Sequence, residues 1–217
     1  MNANQANYWA TMKRYRKYFK QAIESNYPRT SKDLLLRIEH EFNNLKQDVN
    51  FARTSPNLVD RRLLFTSYFL AFITVLDQQG ESFEKIREIS LQTVSEYVRP
   101  KNSIQKFLKV LPVLLLKSRI GNMLVKAFAG RAGKTGHPDG FVTKIITDKN
   151  ETYGLGYGVD ILECGICKLF NKHGYSQYAK ILCEVDEITS GLAGLQLIRR
   201  GTIANGAEKC DFRWRVR

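Results

Sequence analysis

The chain has 217 residues, of which 43% are hydrophobic and 25% are charged, and this ordinary composition argues against a largely disordered protein. Lys and Arg number 34 against 21 Asp and Glu, giving a net charge of +13 that favours anionic partners such as carboxylates, phosphates, nucleic acids or membrane surfaces. The longest apolar run, Val110 to Leu116, is too short to span a bilayer, so we expect no stable membrane insertion.

The N-terminal sequence is polar and contains no apolar signal segment, so we expect a cytoplasmic protein. In a reducing compartment, the four cysteines of the chain are expected as thiols, metal ligands or a nucleophile rather than as disulfides.

The first 130 residues show helical periodicity throughout. The pattern predicts helices at 4–26, 31–51, 58–79, 82–98 and 103–128, the last of them interrupted at Pro112 and Gly121. Segment 58–79 is apolar nearly all round, which is typical of a helix at the centre of a core. Basic residues are spread over every helix rather than gathered in one stripe, so we expect no nucleic-acid binding.

From residue 141 the periodicity changes to that of strands and short helices. Strands are predicted at 141–149, 153–162, 195–204 and 210–216, with helices at 164–172 and 176–189 between the second and third strands. The order ββααββ indicates an antiparallel sheet with helices on one face, hence an α+β fold. We divide the chain into a helical region, 1–130, and a cysteine-containing region, 140–217, joined by a glycine-rich linker and forming one compact unit.

All four cysteines lie in the second region, at Cys164, Cys167, Cys183 and Cys210. Cys164 and Cys167 share one face near a helix N-terminus, where the helix dipole favours a thiolate. Cys183 and Asp186 repeat this spacing on the next helix. If the two helices pack side by side on the sheet, Cys183, Asp186 and one of Cys164 and Cys167 can converge with Cys210 or Asp211.

Three interpretations of this cluster remain open. One is a nucleophilic cysteine with acid or base help from Asp186 or His173. The second is a metal site, although no second C-x₂-C motif completes a zinc pattern. The third is structural packing of small buried thiols.

A family resemblance rests on Cys164, Gly174, the segment from Leu182 to Asp186, the segment from Arg199 to Thr202, Gly206 and the ending from Cys210 to Arg213. These residues resemble the L-2-amino-thiazoline-4-carboxylic acid hydrolase family, and Cys167 is not part of that pattern. The resemblance implies a hydrolase that opens the ring of a small cyclic amidine bearing a carboxylate, on the way to a carbamoyl-cysteine. The ending is also similar to the vinyl-reductase-type sensor domain, which implies a small-molecule-binding or metal-binding module as the alternative.

For the hydrolase, Cys183 is the first choice of nucleophile because Asp186, one helical turn away, can manage the proton. The predicted catalytic residues are Cys183, Asp186, Cys210 and Asp211, and the predicted substrate-binding residues are Arg199, Arg200, Arg213 and Cys164. An arginine suits a carboxylate because its planar fork binds both oxygens. The expected partner is a small-molecule substrate, no metal ligands are assigned, and the cofactor and homo-oligomerisation are left open.

Overall fold

A computed structural model describes residues 3–116, 118–132 and 136–217, with side chains described from residue 12 onward except at 119 and 122. Most of the helix lies in the N-terminal half, and the four strands form one antiparallel sheet in the order β1-β2-β4-β3. This confirms the α+β fold class. The elements are α1 (Ala3–Asn26), α2 (Ser31–Asp48), α3 (Arg62–Gln78), α4 (Phe83–Val98), α5 (Ser103–Leu116), α6 (Arg119–Ala132), β1 (Val142–Ile146), β2 (Gly158–Glu163), α7 (Gly165–Lys172), α8 (Ala179–Leu192), β3 (Leu195–Ile198) and β4 (Cys210–Val216).

The apolar helix α3 lies at the centre of the core, as its composition predicts. Nearly every residue from Leu63 to Leu76 is buried. One continuous apolar cluster joins this helix to residues of the sheet and of α7 and α8, including Phe170, Ile181 and Phe212. The helical half and the sheet half therefore share a core.

A buried polar clamp ties the start of α3 to the start of the sheet. The Asp60 carboxylate accepts a hydrogen bond from the backbone N–H of Phe141 at 2.8 Å, and the Asn57 side-chain amide donates to the Phe141 carbonyl at 2.9 Å. Both side chains are fully buried. Gly140 passes so close that a Cβ there would lie 2.7 Å from Asp60 Oδ1, so this position requires glycine.

The predicted fifth helix is two helices, α5 and α6, and the helix breaks between Leu116 and Arg119 rather than at Pro112 or Gly121. Helix α5 runs through Pro112 and ends at Leu116. The Ser118 hydroxyl donates to the Leu115 carbonyl and accepts from the Gly121 N–H, which caps α6. Residue 117 and linker residues 133–135 lie outside the described part of the chain.

Three predicted strands are too long. The first is only Val142–Ile146, and the other two are shortened for identifiable reasons. In the segment predicted to begin the second strand, Tyr153, Gly154 and Gly156 have φ values of 52°, 81° and 69°, which no pleated strand can contain. The third strand ends at Ile198 because the Asp211 carboxylate accepts hydrogen bonds from the Arg200 and Gly201 N–H groups and turns the chain. Smaller corrections apply to α2, which ends at Asp48, and to segment 58–79, which begins as a 3-10 turn.

The alternation of side chains along β4 decides which residues reach the helices. Cys210 and Phe212 are buried in the core shared with α7 and α8, and the Trp214 indole donates to the Ser190 hydroxyl on α8 at 2.9 Å. Asp211 and Arg213, which alternate with them, lie on the opposite, outer face of the sheet. Of the predicted site residues on β4, Cys210 therefore faces the helices, whereas Asp211 and Arg213 face away from them.

Candidate functional site

The Cys164 side chain lies at the N-terminus of α7. Strand β2 ends at Glu163, and Cys164 follows in an extended conformation (φ −101°, ψ 108°) as the residue that precedes the helix. Its sulfur makes no capping hydrogen bond of standard geometry, but the N–H groups of Ile166 and Cys167 are near enough to stabilise a negative charge on it. The position therefore favours a thiolate.

Cys164 and Cys167 form an asymmetric pair. The pKa of Cys164 is lowered to about 7, first by the neighbouring Cys167 thiol, then by the two backbone N–H groups and the positive charge of Arg62, against an opposing effect of burial. The pKa of Cys167 is raised, because ionised Cys164 holds its proton and because it is buried. The pair therefore loses one proton readily, from Cys164, and retains the other.

The remaining two thiols approach this pair from α8 and β4. Burial raises the pKa of Cys183, and burial raises that of Cys210 to about 11. Each interacts electrostatically with Cys164, so all four thiols lie in one region, which we call the thiol cluster. Cys210 also accepts a hydrogen bond from the Ile203 N–H at 3.2 Å.

Arg62 brings a positive charge to the thiol cluster from the first turn of α3. Its guanidinium lies 2.8 Å from Asp186 Oδ1 on α8. The attraction of Asp186 raises the pKa of Arg62, with smaller contributions from Cys164 and Tyr157. Because Asp186 is already paired with Arg62, its carboxylate has a fixed position beside the thiols.

Arg199 brings a second positive charge, and part of its hydrogen-bonding capacity is unused. Its side chain is only 12% exposed, with the guanidinium carbon 5.3 Å from the centre of the Phe212 ring. One terminal nitrogen lies 3.3 Å from the exposed Glu187 carboxylate. The other, Nη1, is buried without a hydrogen-bond partner among the residues that the structure describes. Since Arg199 interacts with Cys183 and Cys210, this free donor lies beside the thiol cluster.

Three of the predicted site residues do not join the cluster. Arg200, Asp211 and Arg213 line an open depression on the outer face of the sheet. Arg213 pairs with the Asp160 carboxylate at 2.9 Å, and Asp211 holds the turn that follows β3. The alternation of β4 places Asp211 and Arg213 away from the thiol cluster, and the predicted roles of Arg200, Asp211 and Arg213 stay predictions.

The family model of L-2-amino-thiazoline-4-carboxylic acid hydrolase matches residues 61–214. The chain belongs to this family. The match includes all four cysteines, Asp186, Arg199 and also Arg62, which precedes the segment that carries the resemblance in the sequence. No curated protein and no solved structure matches the chain.

Within this family member, Arg62, Tyr157 and Thr202 are site residues that sequence reasoning missed. No local motif marks Arg62, which reaches the cluster only because α3 packs against the layer of α7 and α8. Tyr157 lies in segment 153–162, which the sequence predicts as a strand, directly before the observed start of β2. The Thr202 hydroxyl is buried without a hydrogen-bond partner of ordinary geometry in the described structure, yet lies near enough to Cys183 to oppose the rise in its pKa.

In the described part of the chain, no three His, Cys, Asp or Glu side chains are grouped so that they could hold a metal ion. His173, considered as an acid or base, instead pairs with Asp48 on α2 at 2.8 Å. None of the described helices is long and apolar enough to cross a membrane.

Proposed function

We propose that this protein hydrolyses 2-aminothiazoline-4-carboxylate or a close analogue to an N-carbamoyl-cysteine, with Cys164 as the nucleophile. The single observation that carries the assignment is the contrast among the four thiols. Cys164 alone has a lowered pKa, whereas burial keeps Cys183 and Cys210 protonated at neutral pH. A thiolate, not a thiol, is the attacking species.

The chemistry needs one covalent intermediate. The Cys164 thiolate attacks the ring carbon that is bonded to the ring sulfur and to two nitrogens, forming a new carbon–sulfur bond. The bond from this carbon to the ring sulfur breaks, and the ring sulfur leaves with the electron pair and takes up a proton from solvent as a thiol. The proton that Asp186 receives in the next step returns to solvent. Water then attacks the same carbon, gives a proton to the Asp186 carboxylate, and displaces Cys164 as a thiolate.

Two arginines support substrate binding and the attack by Cys164. Arg199 offers the N–H groups of Nη1, which are buried and without a partner among the described residues, to the substrate carboxylate in a charge-assisted hydrogen bond. Arg62 stabilises the Cys164 thiolate and holds Asp186 in position. Asp211, at the other side of the strand, positions the turn that begins directly after Arg199. Cys183 and Cys210 stay protonated beside Cys164, because burial raises their pKa values.

Incubation of the purified protein with 2-aminothiazoline-4-carboxylate, followed by mass spectrometry for N-carbamoyl-cysteine, tests the proposal. We expect product from wild type and none from Cys164→Ser, with a mass increase of the intact protein under conditions that trap the covalent intermediate. Cys183→Ser is the matched control and should retain turnover. Asp186→Asn should slow turnover by roughly 10²–10⁴-fold, the usual share of a general base.

Two outcomes would change the assignment. Loss of turnover in Cys183→Ser with activity retained in Cys164→Ser would return the nucleophile to Cys183. Absence of turnover with this substrate and its analogues would remove the hydrolase proposal. No observation favours the sensor-domain alternative over hydrolysis.

A further inference from the structure

The helices α5 and α6 pack together into a hairpin that exposes an unusual amount of apolar surface. Twelve large hydrophobic side chains are exposed in the described part of the chain, and eight of them belong to this hairpin of about 30 residues. Their exposures range from 40% to 70%. The eight are Ile104, Phe107, Leu108, Leu114, Leu115, Ile120, Met123 and Leu124.

The exposed residues form a stripe on each helix. On α5 the five exposed apolar residues fall within an arc of roughly 120° at 100° per residue, and buried Val113 lies opposite. On α6, Ile120, Met123 and Leu124 form a stripe of the same kind, opposite the buried Val125 and Ala132. Each helix thus attaches to the protein through a narrow buried side and presents its apolar stripe to solvent.

The hairpin lies in the most basic part of the sequence. Residues 97–138 contain nine Lys and Arg and no Asp or Glu, so this fifth of the chain holds most of the net charge of +13. Lys106, Lys126 and Arg131 are exposed, and the structure records no ion pair for any of these three among the residues it describes. Basic residues occur in every predicted helix, but in this segment no acidic residue accompanies them.

We propose that the α5–α6 hairpin is a docking surface for an anionic lipid bilayer. Helices that combine an apolar stripe with excess Lys and Arg lie in the plane of the interface, with apolar side chains among the acyl chains and positive charge near anionic headgroups. The hairpin meets both conditions, and neither helix is long enough to cross the bilayer. The proposal is independent of the chemistry assigned to the thiol cluster.

Charge argues against the other occupants of this surface. A second copy of the chain, docked hairpin to hairpin, would bring together the six Lys and Arg residues of segment 103–132, which contains no acidic residue to compensate them. A nucleic acid would use the positive charge but would gain nothing from eight aliphatic or aromatic side chains, of which only Phe107 could stack on a base. A bilayer uses both the charge and the apolar stripe.

Vesicle flotation with the full-length protein tests the proposal. We expect binding to phosphatidylcholine vesicles that contain phosphatidylglycerol, weaker binding to pure phosphatidylcholine, and partial release by salt. The double substitution Phe107→Ser with Met123→Ser should weaken binding by about tenfold or more. The double substitution Lys106→Gln with Lys126→Gln should weaken it by roughly 30-fold, at about fivefold for each charge.

Control substitutions outside the hairpin distinguish binding by the α5–α6 surface from binding through the overall positive charge of the protein. Leu36→Ser on α2 removes an apolar side chain that is 72% exposed, and Arg29→Gln with Lys32→Gln removes two exposed charges outside the hairpin. These variants should bind vesicles like wild type, and circular dichroism should show that all variants are folded. Failure of wild type to bind anionic vesicles overturns the proposal, whether the protein instead self-associates or binds nucleic acid. Equal losses in the control variants overturn it as well.

Discussion

The ionisation of Cys164 depends on a partner that can be removed by one substitution, Cys167→Ala. The Cys167 thiol is the largest cause that lowers the pKa of Cys164 from an ordinary value of 9.0 to about 7. The backbone N–H groups and Arg62 supply the remaining stabilisation. Without the Cys167 thiol, the pKa of Cys164 should rise toward its ordinary value, so less thiolate is present at neutral pH.

The size of the effect has an upper bound. At neutral pH a thiol with a pKa of about 7 is about half ionised, whereas one with a pKa of about 9 is ionised to about 1%. A more basic thiolate is also the better nucleophile, with a Brønsted slope of about 0.4–0.5, which offsets part of the loss. At neutral pH, Cys164 in the Cys167→Ala variant should therefore react with an alkylating agent up to about sixfold more slowly than Cys164 in wild type. At alkaline pH, where Cys164 is ionised in both proteins, the variant should react faster.

The assay is alkylation by iodoacetamide from about pH 5 to pH 10, with modification at Cys164 quantified by fragment mass spectrometry. Cys183→Ala is the matched control: its thiol is protonated at neutral pH, so its removal should leave the Cys164 profile unchanged. An inflection of wild-type Cys164 near pH 9, or identical profiles for wild type and Cys167→Ala, would refute the assignment of Cys164 as the reactive thiolate.

Two further predictions concern binding and stability. Arg199→Lys keeps the positive charge but loses the planar guanidinium, so KM for the thiazoline substrate should rise by about tenfold with little change in kcat. Arg213→Lys, on the outer face of the sheet, is the control and should leave KM unchanged. Equal effects of the two substitutions on KM would contradict the assignment of Arg199 to the substrate carboxylate. Burial raises the pKa of Asp48, but hydrogen bonds from Lys172 and His173 outweigh it and lower the pKa overall. Ionised Asp48 therefore stabilises the folded protein fully above its unfolded pKa of about 4, and this stabilisation is lost as pH falls through the pKa of Asp48 in the folded protein. Asp48→Asn should lower the free energy of unfolding in urea by about 1 kcal/mol at neutral pH and leave it unchanged at strongly acidic pH. A cost that persists in acid would show that the side chain acts through packing rather than charge.

Sequence periodicity predicted the helices because their apolar residues recur at regular spacing. It also predicted that Cys183 could approach Cys164 or Cys167, because α8 and the start of α7 must both cover the sheet. It could not predict where strands end, because those ends depend on the left-handed residues around Tyr153 and on hydrogen bonds to Asp211. It also could not assign Arg199 and Arg213 to different faces. That assignment requires the exact limits of β3 and β4, and a shift of one residue exchanges the two faces.

The helical half therefore belongs to the candidate site rather than merely supporting it. Arg62, in the first turn of α3, supplies the positive charge beside Cys164 and the partner of Asp186. The position of this turn is set by Asp60, only two residues earlier, through its hydrogen bond to the backbone of Phe141 at the start of the sheet. Removal of residues 1–130 would leave Asp186 without its partner and Cys164 without a stabilising charge. The reactive thiolate is thus a property of the packed whole, although all four cysteines lie in its C-terminal third.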